Sequence, residues 1–371
     1  MDDGKLIEGL RTLEEDQGPF VSLYLNTEAA REDGPKEVRL RWRSLRGEVE
    51  GEAPEKALLL LDDLVGDAHR RGRGLAAFTS GEEIAFRRSL GAPVGNGISV
   101  GPLFHLIPLL EWNQDHPLYA VVVADRTGAV IHVVGGLHKE EIFDVEGDHD
   151  EFRKVNPGGW SQPRFQNRAE DSWERNAEQV AEALDKIVRE EALRMVIVMG
   201  DVRALSFLKE HLSLPVASLL YELDTAPPTE GDLESIRPEI EEAVSALAAR
   251  TTEEIVEKFV EERGQRDLAV EGVDQTLSAL RMGQVQTLLL QRDDLGGAAW
   301  FARSDLTQVA AGNEALTSIG IEDVEEGALM DVLVRGALGT GAETRVVPRE
   351  QAPSEGVGGI LRFAAETSPE A

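Results

Sequence analysis

The segment from Asn156 to Arg168, which reads NPGGWSQPRFQNR, combines residue types that could act on an anionic partner. It lies within residues 153–169, a stretch with basic residues and no acidic one, although the whole chain has a net charge of -31. Gly158 and Gly159 lie between two prolines, and glycine lets the backbone adopt positive φ and approach a partner closely. Gln162 follows, and its side chain carries a neutral amide. The segment is therefore predicted to approach the phosphates of a nucleic acid.

A helix is predicted directly after this loop and would hold it on a rigid stem. Its apolar positions recur at helical spacing as far as about Glu191, and they are Trp173, Ala177, Val180, Leu184 and Ile187. The positive end of the helix dipole adds to an anion site at the helix start. The candidate RNA-binding residues in and around the loop are Arg153, Lys154, Arg164, Arg168 and Arg175.

A second group of basic residues lies on a helix predicted at residues 36–50. Its apolar face consists of Val38, Trp42, Leu45 and Val49, and its neighbouring basic face consists of Arg39, Arg43 and Arg46. With Lys36 and Arg41 these residues form a cluster opposed only by Glu37. The cluster is a candidate RNA-facing surface, while an ordinary solvated helix face explains the pattern as well and is favoured on this pattern alone.

The composition limits the classes of function. The 371 residues suggest two or three domains, and 69 acidic residues against 38 Lys and Arg argue that any RNA contact is local; a salt-rich or hot habitat would also explain the acidity. The chain has no cysteine, begins Met1-Asp2-Asp3 and lacks a long apolar run, so we expect a cytoplasmic protein without disulfide, thiolate zinc site or membrane span. We expect no metal or other cofactor, because the acidic cluster around His149 is better explained as a solvated turn.

The order of elements predicts a mixed α/β and α+β chain of three domains. An N-terminal α+β domain, residues 1–115, has predicted strands at 19–26, 74–80, 83–90 and 103–110 and helices at 36–50 and 54–70. A layered α/β middle domain, 116–230, carries the loop 153–169, with strands at 118–124, 129–134, 141–145, 195–199 and 216–221 and a second helix at 202–211. Linking helices at 231–266 precede a C-terminal α/β domain, 267–371, with helices at 268–281 and 327–338 and strands at 285–290, 298–303, 344–347 and 360–363.

Gly158, Gly159 and Gln162 resemble a spaced version of the Gly-Gly-Gln loop of the archaeo-eukaryotic release factors, closest to the bacterial members and the Vms-type peptidyl-tRNA hydrolases. Trp160 and Ser161 separate the glycines from the glutamine, which is a departure from that pattern. The middle domain is similar to the RNase-H-like domain that carries the loop in this family. The segments 282–290 and 356–363 resemble the layered α/β sandwich that ends release factors and Pelota.

The resemblance implies a ribosome-associated translation factor of the release or rescue type. Gly158 and Gly159 would let the loop enter the peptidyl-transferase centre, where Gln162 would help to place a water against the ester of peptidyl-tRNA. The stop-codon motifs of eukaryotic class-one factors do not occur in the chain, so a ribosome-dependent peptidyl-tRNA hydrolase acting in ribosome rescue is the leading hypothesis. The implied partners are ribosomal RNA, peptidyl-tRNA and a translational GTPase bound through the last domain, with the protein itself a monomer.

Two alternatives stay open at this point. One is a non-catalytic hibernation factor of the Balon type, which would occupy the ribosomal A site and block it. The other is a stress-associated interaction protein without ribosome contact. Retention of Gln162 favours catalysis, because a factor that only blocks the site would not need that side chain.

Overall fold

The computed structural model describes residues 18–28, 34–66, 68, 71–81, 83–125, 127–136, 141–146, 153–155, 170–225, 233–265 and 268–363. The described residues form two compact units: one holds those within 115–249, and the other combines residues 18–114 with residues 250–363. The mixed α/β fold class is confirmed. The three domain boundaries given above stay predictions.

The N-terminal part contains an antiparallel sheet of four strands in the order β3-β2-β1-β4. The strands are β1 (Phe20–Asn26), β2 (Gly74–Ser80), β3 (Glu83–Leu90) and β4 (Gly97–Gly101), and helices α1 (Gly34–Glu48) and α2 (Glu55–Gly66) follow β1. Alternation along β1 directs Val21, Leu23 and Leu25 into a core with α1 and α2. This core therefore holds α1, with its basic face, in a fixed position.

The strand predicted at 103–110 is wrong. After β4 the chain bends at Pro102 and Leu103, has no regular structure as far as Leu106, and then forms helix α3 (Ile107–Asp115). Pro108 lies in the first turn, where its missing N–H is tolerated, and Leu109 and Trp112 are buried at helical spacing. The apolar run LFHLIPLL, residues 103–110, predicts a single strand because its composition does not show that a helix begins at Ile107.

The middle unit is built on a sheet of six strands in the order β10-β9-β5-β6-β7-β8. The strands are β5 (Tyr119–Ala124), β6 (Gly128–Val134), β7 (Glu141–Glu146), β8 (Arg153–Val155), β9 (Met195–Gly200) and β10 (Leu220–Glu222). The strands from β5 to β8 pair antiparallel, whereas β9 pairs parallel with both β5 and β10. This is the RNase-H-like order predicted for the middle domain, which is confirmed.

Helices cover both faces of the middle sheet. One face carries α4 (Glu170–Glu190), α5 (Val202–His211) and α6 (Leu214–Ser218). The other packs against Ile240 and Val244, which belong to helix α7 (Arg237–Gln265). The predicted strand at 216–221 is partly wrong, because Pro215 pre-organises the first turn of α6 and only residues 220–222 remain extended.

The C-terminal part contains two further sheets, one ordered β11-β17-β12-β16 and the other β14-β13-β15. The strands are β11 (Ala269–Glu271), β12 (Val285–Gln291), β13 (Ala298–Ala302), β14 (Val309–Ala310), β15 (Val324–Ala328), β16 (Glu343–Val347) and β17 (Val357–Leu361). The helices are α8 (Val273–Arg281), α9 (Glu314–Thr317) and α10 (Leu329–Thr340). The layered α/β arrangement predicted for this part is confirmed.

Two predicted helices in the C-terminal part begin too early. The helix predicted at 268–281 starts at Val273, because Gly272 has a φ of 85° and separates it from β11. The helix predicted at 327–338 starts at Leu329, directly after β15, which the prediction missed. Among the described residues, no helix is both long enough and apolar enough to cross a membrane.

Candidate nucleic-acid interface

The predicted glycine-rich loop joins two described elements of the middle unit. Gly158, Gly159, Gln162, Arg164 and Arg168 lie outside the described residues. The described chain ends on one side at Val155 in β8 and resumes on the other at Glu170, the first residue of α4. Both attachment points of the loop therefore belong to the middle unit.

The backbone of Arg153 and Lys154 is fixed by strand pairing. Both residues lie in β8, the outermost strand of the sheet, opposite Asp144 and Phe143 of β7. An edge strand is paired on one side only. Residues 153–155, which were predicted as part of the loop, therefore form a strand, and the sheet sets where the chain leaves it.

Helix α4 is the stem that follows the loop. Val180, Leu184 and Ile187 are buried against the middle sheet at the helical spacing predicted for them. Burying a side chain of this size contributes roughly 1.5–3 kcal/mol, an upper estimate. The predicted apolar face of the stem is confirmed at these positions, and it attaches the helix firmly to the sheet.

Arg175 is exposed in the second turn of α4. The preceding residue, Glu174, has its carboxylate 3.8 Å from the His211 Nε2 at the end of α5. Farther along, Asp185 of α4 accepts a hydrogen bond from Ser213. These two contacts tie α4 to the last residue of α5 and to the chain just after it, while Arg175 projects from the end of the stem nearer the loop.

The basic face of α1 is divided by its contacts. Arg39 and Arg43 are exposed, and the Arg39 Nε donates to the Pro35 carbonyl at 2.9 Å. Between them Leu40 is 60% exposed. Arg41, on another side of the helix, donates to the carbonyls of Asn26 and Glu28 at 2.9 and 2.7 Å, so it supports the turn after β1. The outward surface of α1 therefore combines guanidinium groups with an apolar side chain.

Arg46 differs from Arg39 and Arg43 because acidic side chains surround it. Its guanidinium lies 2.8 Å from Glu55 and 3.5 Å from Asp62, both on α2. The Trp42 indole donates to the same Asp62 at 2.7 Å. Arg46 thus links α1 to α2, which helical periodicity alone did not reveal. The apolar Leu40 was also missed, because an exposed leucine leaves no pattern in the sequence.

The acidic cluster around His149 lies outside the described residues. In the described part of the chain, no group of three or more histidine, aspartate or glutamate side chains is arranged to hold a metal ion.

Comparison with known proteins finds relatives among translation factors. The sequence profile described as bacterial archaeo-eukaryotic release factor family 2 matches residues 118–265. The uncharacterized protein Rv2629 of Mycobacterium tuberculosis is 28% identical over 371 residues, covering 96% of this chain and 97% of the relative. The peptide chain release factor subunit 1 of Methanopyrus kandleri is 28% identical over 201 residues, covering 51% of this chain and 47% of the relative.

A similar solved structure is that of archaeal Pelota, from a ribosome-bound model that also contains ABCE1. It shares 15% identity and a TM-score of 0.43, covering 98% of this chain and 94% of Pelota. The profile match is the stronger finding, since it spans the whole six-stranded sheet and both attachment points of the loop. Over residues 118–265, which carry the loop and its two attachment points, this chain is similar to bacterial archaeo-eukaryotic release factors of family 2.

Proposed function

We propose that this protein binds the ribosome and hydrolyses the ester bond of peptidyl-tRNA without decoding a stop codon. The observation that carries the proposal is the family match over residues 118–265, which includes residues 156–169 between β8 and α4. The sequence relative from Methanopyrus kandleri, named as a peptide chain release factor subunit, supports the same class of function.

In this proposal Gln162 positions the attacking water. A neutral amide cannot take a proton efficiently at neutral pH, so the ribosome and the tRNA hydroxyl groups would supply the proton transfers. Placing a water in line with the ester can lower the barrier by roughly 7–11 kcal/mol when the geometry is good. Gly158 and Gly159 serve this step by letting the backbone come close to the tRNA end without side-chain clashes.

The basic residues provide the RNA contacts of the proposed complex. Arg153, Lys154, Arg164, Arg168 and Arg175 surround the proposed catalytic loop in sequence. Arg39 and Arg43, with exposed side chains on α1, provide a separate contact that attaches the N-terminal part to ribosomal RNA. Arg46 contributes to this second contact only as far as its pairing with Glu55 and Asp62 leaves its charge available.

We also propose where the protein acts and with which partners. The protein would act in the cytoplasm as a monomer, with ribosomal RNA and peptidyl-tRNA as its partners and no resident cofactor. A translational GTPase bound through the C-terminal part is the further partner that the release-factor relationship suggests.

Ribosome pelleting combined with a peptide-release assay tests the proposal. Purified protein is added to stalled ribosomes that carry labelled peptidyl-tRNA and an empty A site. Co-sedimentation together with release of labelled peptide is the expected result. Co-sedimentation without release, with or without a translational GTPase, would replace the hydrolase by a hibernation factor. Failure to co-sediment would favour an interaction protein that does not bind ribosomes.

A further inference from the structure

The segment from Leu103 to Leu106 joins the N-terminal sheet to the C-terminal part of the same compact unit. Phe104 and His105 are neighbours in this segment, and their side chains contact different parts of the unit. The Phe104 ring packs on Phe20 and Phe78, with centroids 4.5 and 5.7 Å away. The His105 Nδ1 lies 2.8 Å from the Asp331 Oδ1 in the first turn of α10. A single short segment therefore contacts both parts of the unit.

The N-terminal sheet fixes the backbone of His105. The Tyr24 hydroxyl donates to the His105 carbonyl at 2.6 Å, and the His105 N–H donates to the Ser22 Oγ at 3.0 Å. Both partners lie on β1. Because the backbone is held from one side, the imidazole ring reaches Asp331 as a rigid projection of the N-terminal sheet.

A second contact lies at the C-terminal end of α3. It crosses the same boundary between the N-terminal and C-terminal parts, which is called the seam below. The Gln114 side chain donates its Nε2 to the Val346 carbonyl and accepts the Val346 N–H at its Oε1, both at 2.9 Å. Val346 lies on β16, an outer strand of its sheet, so the amide side chain acts as a one-residue strand partner. Glu111 of α3 and Arg292, which follows β12, also form an ion pair. Neither a glutamine amide nor an arginine titrates near neutral pH.

We propose that His105 and Asp331 form a pH-responsive latch between residues 18–114 and residues 250–363, which is fastened when His105 is protonated and loosened when it is neutral. The charged and titratable groups that face His105 are Asp331 from α10, Asp294 from the turn after β12 and the Tyr24 phenol from β1. Of these, Asp331 makes the direct contact and Asp294 adds a second negative charge. The latch is independent of what the protein binds.

The electrostatics of the pair support the direction of the switch. Burial disfavours the imidazolium ion, but the hydrogen bond to Asp331 and the charges of Asp331 and Asp294 outweigh it and raise the pKa of His105 above 6.5. Burial raises the pKa of Asp331 above 3.8, outweighing the opposite effect of His105. A raised histidine pKa stabilises the latched state fully below about pH 6.5, and this stabilisation is lost as the pH rises through the pKa of the latched state.

Loss of the proton leaves an unfavourable arrangement. The Asp331 side chain is only 12% exposed, whereas that of His105 is 35% exposed. A buried carboxylate without a cationic partner is costly, and Asp294 repels it. Neutral His105 can still donate through Nδ1, so the contact weakens but is not abolished. Gln114 then carries more of the attachment.

The Val346 amide reports on the latch, because its hydrogen-bond acceptor lies across the seam. Its protection against hydrogen exchange, corrected for the intrinsic rate, would be measured by NMR between pH 6 and 9 on the full chain. The variant His105→Gln keeps a polar side chain but does not titrate. Protection in the wild type relative to this variant is expected to fall with rising pH, by up to about tenfold for each unit by which Asp331 raises the His105 pKa.

The matched control is His211→Gln, which removes a histidine that also faces a carboxylate but belongs to the middle unit. It should leave the Val346 profile unchanged. If the protection of the Val346 amide changed with pH in the same way in the wild type and in His105→Gln, the latch would be overturned. If His105→Gln does not fold, the wild type decides: the Val346 amide shift must titrate with the midpoint of the His105 ring, and an independent midpoint would overturn the proposal.

Discussion

At the scale of single residues, arginines that look alike in sequence separate by their partners. Arg39 and Arg43 are exposed on α1, whereas Arg46 lies between Glu55 and Asp62. The basic face was predictable because it depends on spacing within one helix. The pairing of Arg46 was not, because its partners lie on a second helix whose packing depends on the apolar core. The spacing of basic residues therefore indicates candidate RNA-binding arginines, and the tertiary structure shows which of them are exposed and which are paired with acidic side chains.

The two classes of arginine should respond differently to alanine. Arg39→Ala with Arg43→Ala is expected to change the free energy of unfolding by less than about 0.5 kcal/mol and to weaken ribosome pelleting. Arg46→Ala is expected to destabilise by up to about 1 kcal/mol, since its ion pairs are partly solvated. Urea unfolding and pelleting of both variants provide the measurement. Equal effects of the two variants on pelleting would contradict this distinction.

At the scale of elements, prediction succeeded where one period runs from end to end. Helix α5 has its predicted bounds, Val202–His211, because Asp201 caps its first turn and Leu205 and Leu208 face the core. Prediction failed at residues 103–110, where a segment without regular structure passes into helix without a glycine or charged residue to mark the change. Local pattern fixes the type of long elements, whereas short ones are decided by contacts distant in sequence.

The turn from β9 into α5 depends on Gly200. Its φ is 138°, and a Cβ at this position would lie 1.9 Å from the Ala124 carbonyl oxygen, which accepts the Asp201 N–H. Gly200→Ala is therefore expected to destabilise the middle unit by about 3 kcal/mol or more. Urea unfolding would measure this change.

Gly47 is the matched control for that substitution. It lies within α1, and an added Cβ would meet no atom within 4 Å. Gly47→Ala should stabilise the protein by up to about 1 kcal/mol, because alanine is the better helix former. If Gly200→Ala left the free energy of unfolding unchanged, the backbone at this turn could relax, and Gly200 would not be required there.

At the scale of the whole molecule, segments that pack together are far apart in the sequence. Residues 18–114 pack with residues 250–363, and the His105–Asp331 contact joins positions 226 apart in sequence. No local pattern predicts such a pairing. The candidate loop, in contrast, could be predicted from a local pattern, because its charge composition differs from that of the surrounding acidic chain.

The acidity of the chain makes the salt dependence of binding informative. With a net charge of -31, the protein should bind RNA only through its local basic groups. Replacing Arg164 and Arg168 with glutamate is expected to weaken ribosome pelleting and to flatten its dependence on log salt by about 0.7–0.9 per lost phosphate contact. Pelleting across a salt series would show this change. An unaltered slope would remove these arginines from the interface.

The central claim, that Gln162 serves hydrolysis, is tested most directly by single-turnover peptide release from stalled ribosomes at saturating protein. Gln162→Ala is expected to slow release by about 10²–10³, the effect of losing one group that acts in the transition state, with pelleting unchanged. Gln166→Ala, in the same segment, is the matched control and should release peptide at the wild-type rate. Equal release rates for Gln162→Ala and the wild type, at equal ribosome binding, would contradict the claim.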